Sequence, residues 1–404
     1  MLSSIRPVFI SGNIHMGGAT TFLINLGREL SKTGQEYLFI SLSLTDNTAN
    51  DFVEHGIGCS LPPHRAMIFE DRMLWALRLI NNFNPTHIVA CLGPESFEVL
   101  RYIPNGLKRF ALVQSDDPCV YRALGSYAEV LDGVAGVSKA ICKKLSLDER
   151  LSRGFIGFQP YGVESPGVKK RAMLRDRTPS DPLKIVYLGR LIHEQKRVRV
   201  FPMILERMKS SNIPFEWIIA GDGPDRTWLE AAMKTDVAHQ RVVFLGALPY
   251  AGVTTVLSNS DVMLLASDYE GLPLSLLEAM HHGVVPVVSD LESGISDLVD
   301  ESCGIRVTVD RIDDYSAAIL RLHRDRTLLE RMSVSSQTRA TSLYSAKAMA
   351  QRWMDMFRAN RATEARWPLK QRITHPILQP GSWYYREPIR SCRRIIRWLG
   401  FDRS

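Results

Sequence analysis

Short apolar, β-branched runs recur along this chain with helical patterns between them, and no other feature constrains the fold as much. Five come early: PVFIS (7–11), EYLFISL (36–42), HIVAC (87–91), RFALVQ (109–114) and DGVAGVS (132–138). Five more follow: KIVYLG (184–189), FEWIIAG (215–221), RVVFLG (241–246), DVMLLAS (261–267) and VVPVVS (284–289). The runs are apolar throughout rather than alternating, which predicts strands buried on both faces. In TTFLINLGREL the residues Phe22, Leu23, Leu26 and Leu30 share one helical face. Strand and helix in alternation predict an α/β chain with parallel sheets and right-handed crossovers. Residues 164–182 are charged, carry Pro166, Pro179 and Pro182, and lack apolar periodicity. They read as a linker between two doubly wound domains. The expected division is 1–165, a linker at 166–182, 183–345, and a C-terminal extension at 346–404. Two such domains would present their strand ends to one cleft, where ligands of open α/β sheets sit.

Composition excludes several classes. Hydrophobic residues make up 45% of the 404 residues and charged residues 23%, ordinary for a globular protein. No run approaches 18 apolar residues, so no transmembrane helix is expected, and the N-terminus lacks the apolar core of a signal peptide. Six scattered cysteines without a C-x-x-C pair fit reduced thiols in a cytoplasmic protein and argue against structural zinc. The net charge is +7, and residues 361–404 hold ten Lys/Arg against three Asp/Glu, so the first 360 residues are neutral. Nothing calls for a nucleic-acid partner.

Three stretches could carry chemistry. In SDYEGLPLSLLEAMHHG (267–283), Gly271 opens the backbone and Pro273 suits a first helical position. The helix N-terminus behind them suits a phosphate. Glu278 lies five residues past Pro273, roughly 7–8 Å up the axis, within reach of a ribose attached to a diphosphate. Glu270 lies on the other side of such phosphates. Solvated glutamates around a helix start remain the alternative. In YLGRLIHEQKR (187–197), Arg190 and Lys196 follow a strand that ends at Gly189 and could neutralise a diphosphate, Arg as a fork and Lys as a point charge. Surface charge on a loop is the alternative there. In GNIHMGGATT (12–21), Gly17 and Gly18 allow close approach of a ligand to the backbone. This is not G-x-G-x-x-G, no acidic residue ends the second strand, and no P-loop occurs. The adjacent pairs Asp116-Asp117 and His281-His282 read as structural or surface groups, not metal ligands.

In combination and order these pieces resemble a retaining glycosyltransferase of the GT-B fold, of the family-four (group 1) type, over roughly residues 7–355. The elements are MGGAT, VSKAICKKL (137–145), YGVES (161–165), GRLIHEQKR, AGDGPDRTWLE, VVFLGALPYAGV, and two glutamates eight apart, Glu270 and Glu278. The resemblance implies two Rossmann-like domains and a C-terminal helix returning toward the N-terminal one. It implies that Arg190 and Lys196 bind the donor diphosphate, Glu278 the ribose and Glu270 the donor sugar. Backbone N–H groups of Gly271 and Leu272 would cradle the phosphates, residues near Leu248 would flank the base, and Gly17, Gly18, Gln114, Gly189 and Pro273 would also belong to the donor site. Gln114 stands where the family often has His, and Tyr161 replaces the usual Asn. No metal or other cofactor is implied.

The expected activity is transfer of a hexose-type sugar from a UDP- or GDP-type donor, with retention. The acceptor would be a saccharide or lipid-linked molecule, as in bacterial surface polysaccharide or glycolipid synthesis. The rivals are another enzyme on this scaffold, such as an epimerase or phosphorylase, and a non-catalytic sugar-nucleotide-binding module. In EPIRSCRRIIRWLGF (387–401) apolar residues share one helical face and arginines cover the rest. That pattern suits an anionic membrane surface on the inner face of the cytoplasmic membrane, with packing on the N-terminal domain as the alternative.

Overall fold

The computed structural model describes residues 4–12, 17–43, 52–64, 67–164, 178 and 180–362. The body of the expected linker and the tail at 387–401 lie outside the described residues, as do Asn13–Met16 of the first glycine loop. The described chain divides into two compact units. One comprises residues up to Val137, Ile141–Gln159 and the chain from Ala350 onward; the other comprises Ser138–Ala140 and Pro160–Met349.

The first unit holds six strands: β1 (Pro7–Ser11), β2 (Leu38–Ser41), β3 (His87–Leu92), β4 (Lys108–Val113), β5 (Gly133–Gly136) and β6 (Phe155–Phe158). Their order in the sheet is β2-β1-β3-β4-β5-β6, and every neighbour pair is parallel. The second unit holds β7 (Leu183–Leu188), β8 (Phe215–Ala220), β9 (Val242–Gly246), β10 (Val262–Leu265), β11 (Val285–Ser289) and β12 (Ile305–Val307). Its order is β12-β11-β10-β7-β8-β9, again parallel throughout. Both sheets are doubly wound, as the apolar runs predict. Two strands escaped the sequence reading, β6 and β12. Each is a short edge strand of four or three residues with half-exposed positions, so neither makes an uninterrupted apolar run.

In each sheet the chain leaves in one direction and returns to build in the other. That reversal falls between β1 and β3 in the first unit and between β7 and β10 in the second. Loops leaving the carboxyl ends of these neighbours diverge, and the gap between them is where such folds bind ligands.

The first core is assembled from both ends of the chain. Phe9 on β1 packs edge-on against Trp353 and Phe357 of the helix Ala346–Ala359, with centroids at 5.2 and 6.2 Å. Phe22 on the helix Gly18–Lys32 meets Trp353 at 6.3 Å, and Phe22, Leu23, Leu26 and Leu30 are all buried, as their spacing predicts. His87 opens β3, lies 4.7 Å from the Phe357 ring, and hydrogen-bonds the Asn360 carbonyl at 2.7 Å. Burial holds this imidazole below its usual pKa, so it sits as a neutral donor to that carbonyl.

Candidate functional site

The second unit's site begins where β7 ends. Gly189 N donates to Ala220 O at 3.1 Å and Leu191 N to Asp222 O at 2.8 Å, tying the loop after β7 to the loop after β8. The approach is close enough to require glycine. At Gly221 (φ +139°) a Cβ would stand 1.8 Å from the Gly189 carbonyl oxygen, and at Gly223 (φ +159°) 2.3 Å from that of Leu191. The G-x-G of AGDGPDR therefore serves packing between loops, a use distinct from a dinucleotide fingerprint. Asp225 in the same motif is 4% exposed and accepts from His193 N and Arg199 Nε, both at 2.7 Å. Burial opposes its ionisation, but these two bonds prevail and hold its carboxyl below the usual range. Asp225 thereby orients the short helix His193–Lys196.

Lys196 closes that helix and is 9% exposed. Its Nζ donates to Glu270 Oε1 at 2.5 Å, and Ser267 Oγ donates to the same oxygen at 2.6 Å. Glu270, in the loop after β10, is 4% exposed. Two of the residues singled out from sequence are thus brought together across the β7/β10 switch point, and neither is the solvated surface charge of the alternative readings. Arg197 adopts the left-handed conformation (φ 49°) and reaches Asp268 at 2.8 Å and Asp310 at 3.0 Å, so it fastens the same two loops from outside. Arg190 is exposed, and its Nη2 donates to Gln195 Oε1 at 2.7 Å.

Beyond Glu270 the backbone is held by Gly294, whose N–H donates to Gly271 O at 2.7 Å. A Cβ there would come within 2.3 Å of that oxygen. Gly271, Leu272 and Pro273 are buried, yet the N–H groups of Gly271 and Leu272 have no acceptor among the described residues. The helix that follows is Leu274–His281, with no side chain capping its start. Pro273 is its N-cap (ψ 106°) rather than its first helical residue, one position earlier than its sequence suggests. The extended ψ is the reason, and the missing N–H still removes no helical bond. Unpaired donors and the positive dipole end of a helix are the features that suit a segment to an anion.

Glu278 lies one turn on. Its carboxylate has no hydrogen-bond partner among the described residues, and burial pushes its pKa from 4.5 up to about 8. A carboxyl group without a protein partner is suited to accept hydrogen bonds from ligand hydroxyls. Leu248 is half-buried between β9, the far edge of the sheet, and the helix Tyr250–Ser258.

Three predicted residues belong to the first unit. Gly17 is exposed and caps the helix Gly18–Lys32 without a side-chain bond. Gln114 follows β4, and both polar atoms of its amide are buried without a partner among the described residues. Asp116 accepts from Tyr121 Oη and Lys144 Nζ, and Asp117 caps the helix Pro118–Gly125 through Cys119 N, so this pair is structural as expected. His281 is buried against Tyr344 O, and His282 bonds Glu278 O. Among the described residues no cluster of His, Cys, Asp or Glu could hold a metal. The sequence reading missed Asp225, Ser267 and Gln195; Asp225 stood inside a motif searched only for its glycines.

Residues 182–325 match the family described as glycosyl transferases group 1. Alpha-D-kanosaminyltransferase of Streptomyces kanamyceticus is 29% identical over 191 residues, 47% of this chain and 49% of that protein. The chain thus spans about half the length of that relative. The lipopolysaccharide core biosynthesis glycosyltransferase LpsD of Rhizobium meliloti is 24% identical over 350 residues, 84% of this chain and 95% of that protein. The crystal structure of Anabaena HepE in complex with UDP is similar in fold, with TM-score 0.68 at 14% identity, covering 88% of this chain and 100% of that one.

Lys196→Met should leave Glu270 buried and unpaired and cost about 3–5 kcal/mol, read as a shift in urea midpoint. Adding Glu270→Gln should recover part of that loss; a second, independent loss would refute the pairing. For Glu278 the sign is set by its raised folded value. Between pH 4.5 and about 8 the native state keeps a proton that the unfolded chain has released, so stability falls as pH rises through that window. The advantage of Glu278→Gln over the parent should grow from pH 5 to 8, by on the order of a few kcal/mol at most, and level off above. Parallel pH–stability curves for the two proteins would overturn it.

Proposed function

We propose that the chain, whose residues 182–325 match the family described as glycosyl transferases group 1, moves a hexose-type sugar from a nucleoside-diphosphate donor to a saccharide or lipid-linked acceptor. The observation that carries this reading is the Lys196–Glu270 pair at the β7/β10 switch point, followed along the chain by the N–H groups of Gly271 and Leu272 and the carboxyl group of Glu278, none of which has a partner among the described residues. The diphosphate lies against the helix start, with Arg190 and Lys196 contributing positive charge. The ribose hydroxyls donate to Glu278, and Glu270 faces the sugar.

In the transfer, the bond from the anomeric carbon to the diphosphate oxygen breaks, and the acceptor oxygen bonds that carbon on the same face, with retention. The acceptor proton passes to the departing diphosphate. No protein nucleophile is assigned. Charge on the leaving group is met by Arg190, Lys196 and the helix dipole, so turnover is expected without added metal. LpsD, named for lipopolysaccharide core biosynthesis, supports a role in surface-glycan or glycolipid assembly.

A thermal-shift panel of UDP, GDP, ADP and their sugars tests the donor. One donor class should stabilise the protein by about 2.7 kcal/mol at 100-fold Kd, and Glu278→Ala should erase the gain. Arg190→Ala should lower turnover on the order of 10²-fold, and EDTA should leave the parent active. If no sugar nucleotide binds, or if turnover requires Mg²⁺, this reading is wrong.

We propose in addition that residues 387–401 hold the protein to an anionic membrane surface. No described helix is long and apolar enough to cross a membrane. The full chain should co-sediment with anionic vesicles, less so as salt rises, and deletion of 387–404 should abolish this while donor hydrolysis persists. Indifference to such vesicles at low salt would end the proposal.

A further inference from the structure

The stretch 190–199 carries four strong cations, and three have carboxylate partners: Lys196 with Glu270, Arg197 with Asp268 and Asp310, and Arg199 with Asp225. Arg190 is the exception among the described residues. Its guanidinium is held by the neutral side-chain amide of Gln195 at 2.7 Å and makes no ion pair. Gln195 is itself anchored. Its Nε2 donates to Tyr269 O at 3.3 Å, and its backbone carbonyl accepts from Asp268 N at 2.9 Å.

An amide serves here because it can accept from the guanidinium with one atom and donate to a carbonyl with the other. A glutamate could accept from Arg190 but would turn a second oxygen toward Tyr269 O, and it would offset the charge of Arg190. We propose that Gln195 is a positioning residue. It fixes the exposed Arg190 side chain beside the loop that carries Glu270, and it keeps the positive charge of Arg190 uncompensated for the donor diphosphate. This rests on the transferase reading above and deepens it. Lys196 is already paired and buried, so Arg190 is the cation with charge to spare when the leaving diphosphate gains charge in the transition state.

The experiment is a double-mutant cycle. Gln195→Ala and Gln195→Glu are made in the parent and in an Arg190→Ala background. Turnover of the stabilising sugar nucleotide, KM, and binding of the free nucleoside diphosphate are measured for each. In the parent, Gln195→Ala should lower kcat roughly tenfold with little change in KM, because a loosened Arg190 is lost mainly in the transition state. Gln195→Glu should also weaken nucleoside-diphosphate binding, because it sets a carboxylate against the diphosphate. In the Arg190→Ala background both substitutions should change kcat by less than about twofold, the non-additivity expected of residues that act as a unit. Equal losses in both backgrounds would mean that Gln195 acts through Tyr269 and the backbone, and would overturn the proposal alone. If the parent neither binds nor turns over any sugar nucleotide, the transferase reading falls, and the role of Gln195 with it.

Discussion

A lysine and a glutamate removed from water tolerate burial only as a pair, and the second unit is arranged so that Lys196 and Glu270 can be one. The residues are 74 positions apart, and the pair exists because β7 and β10 are neighbours at the sheet's reversal point. Its geometry then depends on supports at each side. Asp225 orients the helix that ends in Lys196, and Arg197 clamps Asp268 beside Glu270. Removing either supporting contact loosens a loop whose charged partner has no water to turn to.

Glycine sets a second constraint. Gly221, Gly223 and Gly294 each put backbone where a Cβ would overlap a carbonyl oxygen. These contacts draw the loops after β7, β8 and β10 and the turn at Gly294 into one layer above the sheet. That layer satisfies the Gly271 carbonyl and supplies no acceptor, among the described residues, to the N–H groups of Gly271 and Leu272.

Much of this was legible in the amino-acid sequence for a physical reason: strands buried on both faces write themselves as unbroken apolar runs. Ten of the twelve described strands did so, and β6 and β12 failed because short edge strands need no such run. At the site, Lys196, Glu270 and Glu278 were visible as residue types at a spacing. What a linear pattern cannot carry is which charges lose their water. Lys196 taken alone read more readily as surface charge, and the partner that buries it lies in another crossover. Asp225 and Gln195 were passed over because their work is done on backbone N–H groups, carbonyls and another side chain. Pro273 was misplaced by one residue because an extended ψ is not written in the residue type.

The helix Ala346–Ala359 begins among residues of the second unit and ends inside the first. Trp353 and Phe357 complete the aromatic cluster around Phe9, and Asn360 receives the imidazole of His87. During synthesis, therefore, the earliest strands leave the ribosome with their core open on one side. The second unit, apart from its three residues at 138–140, is a continuous stretch ending at Met349, so it can close first. The first unit must wait for almost the whole described chain before its last aromatic layer arrives, which reverses the usual N-to-C order of domain folding.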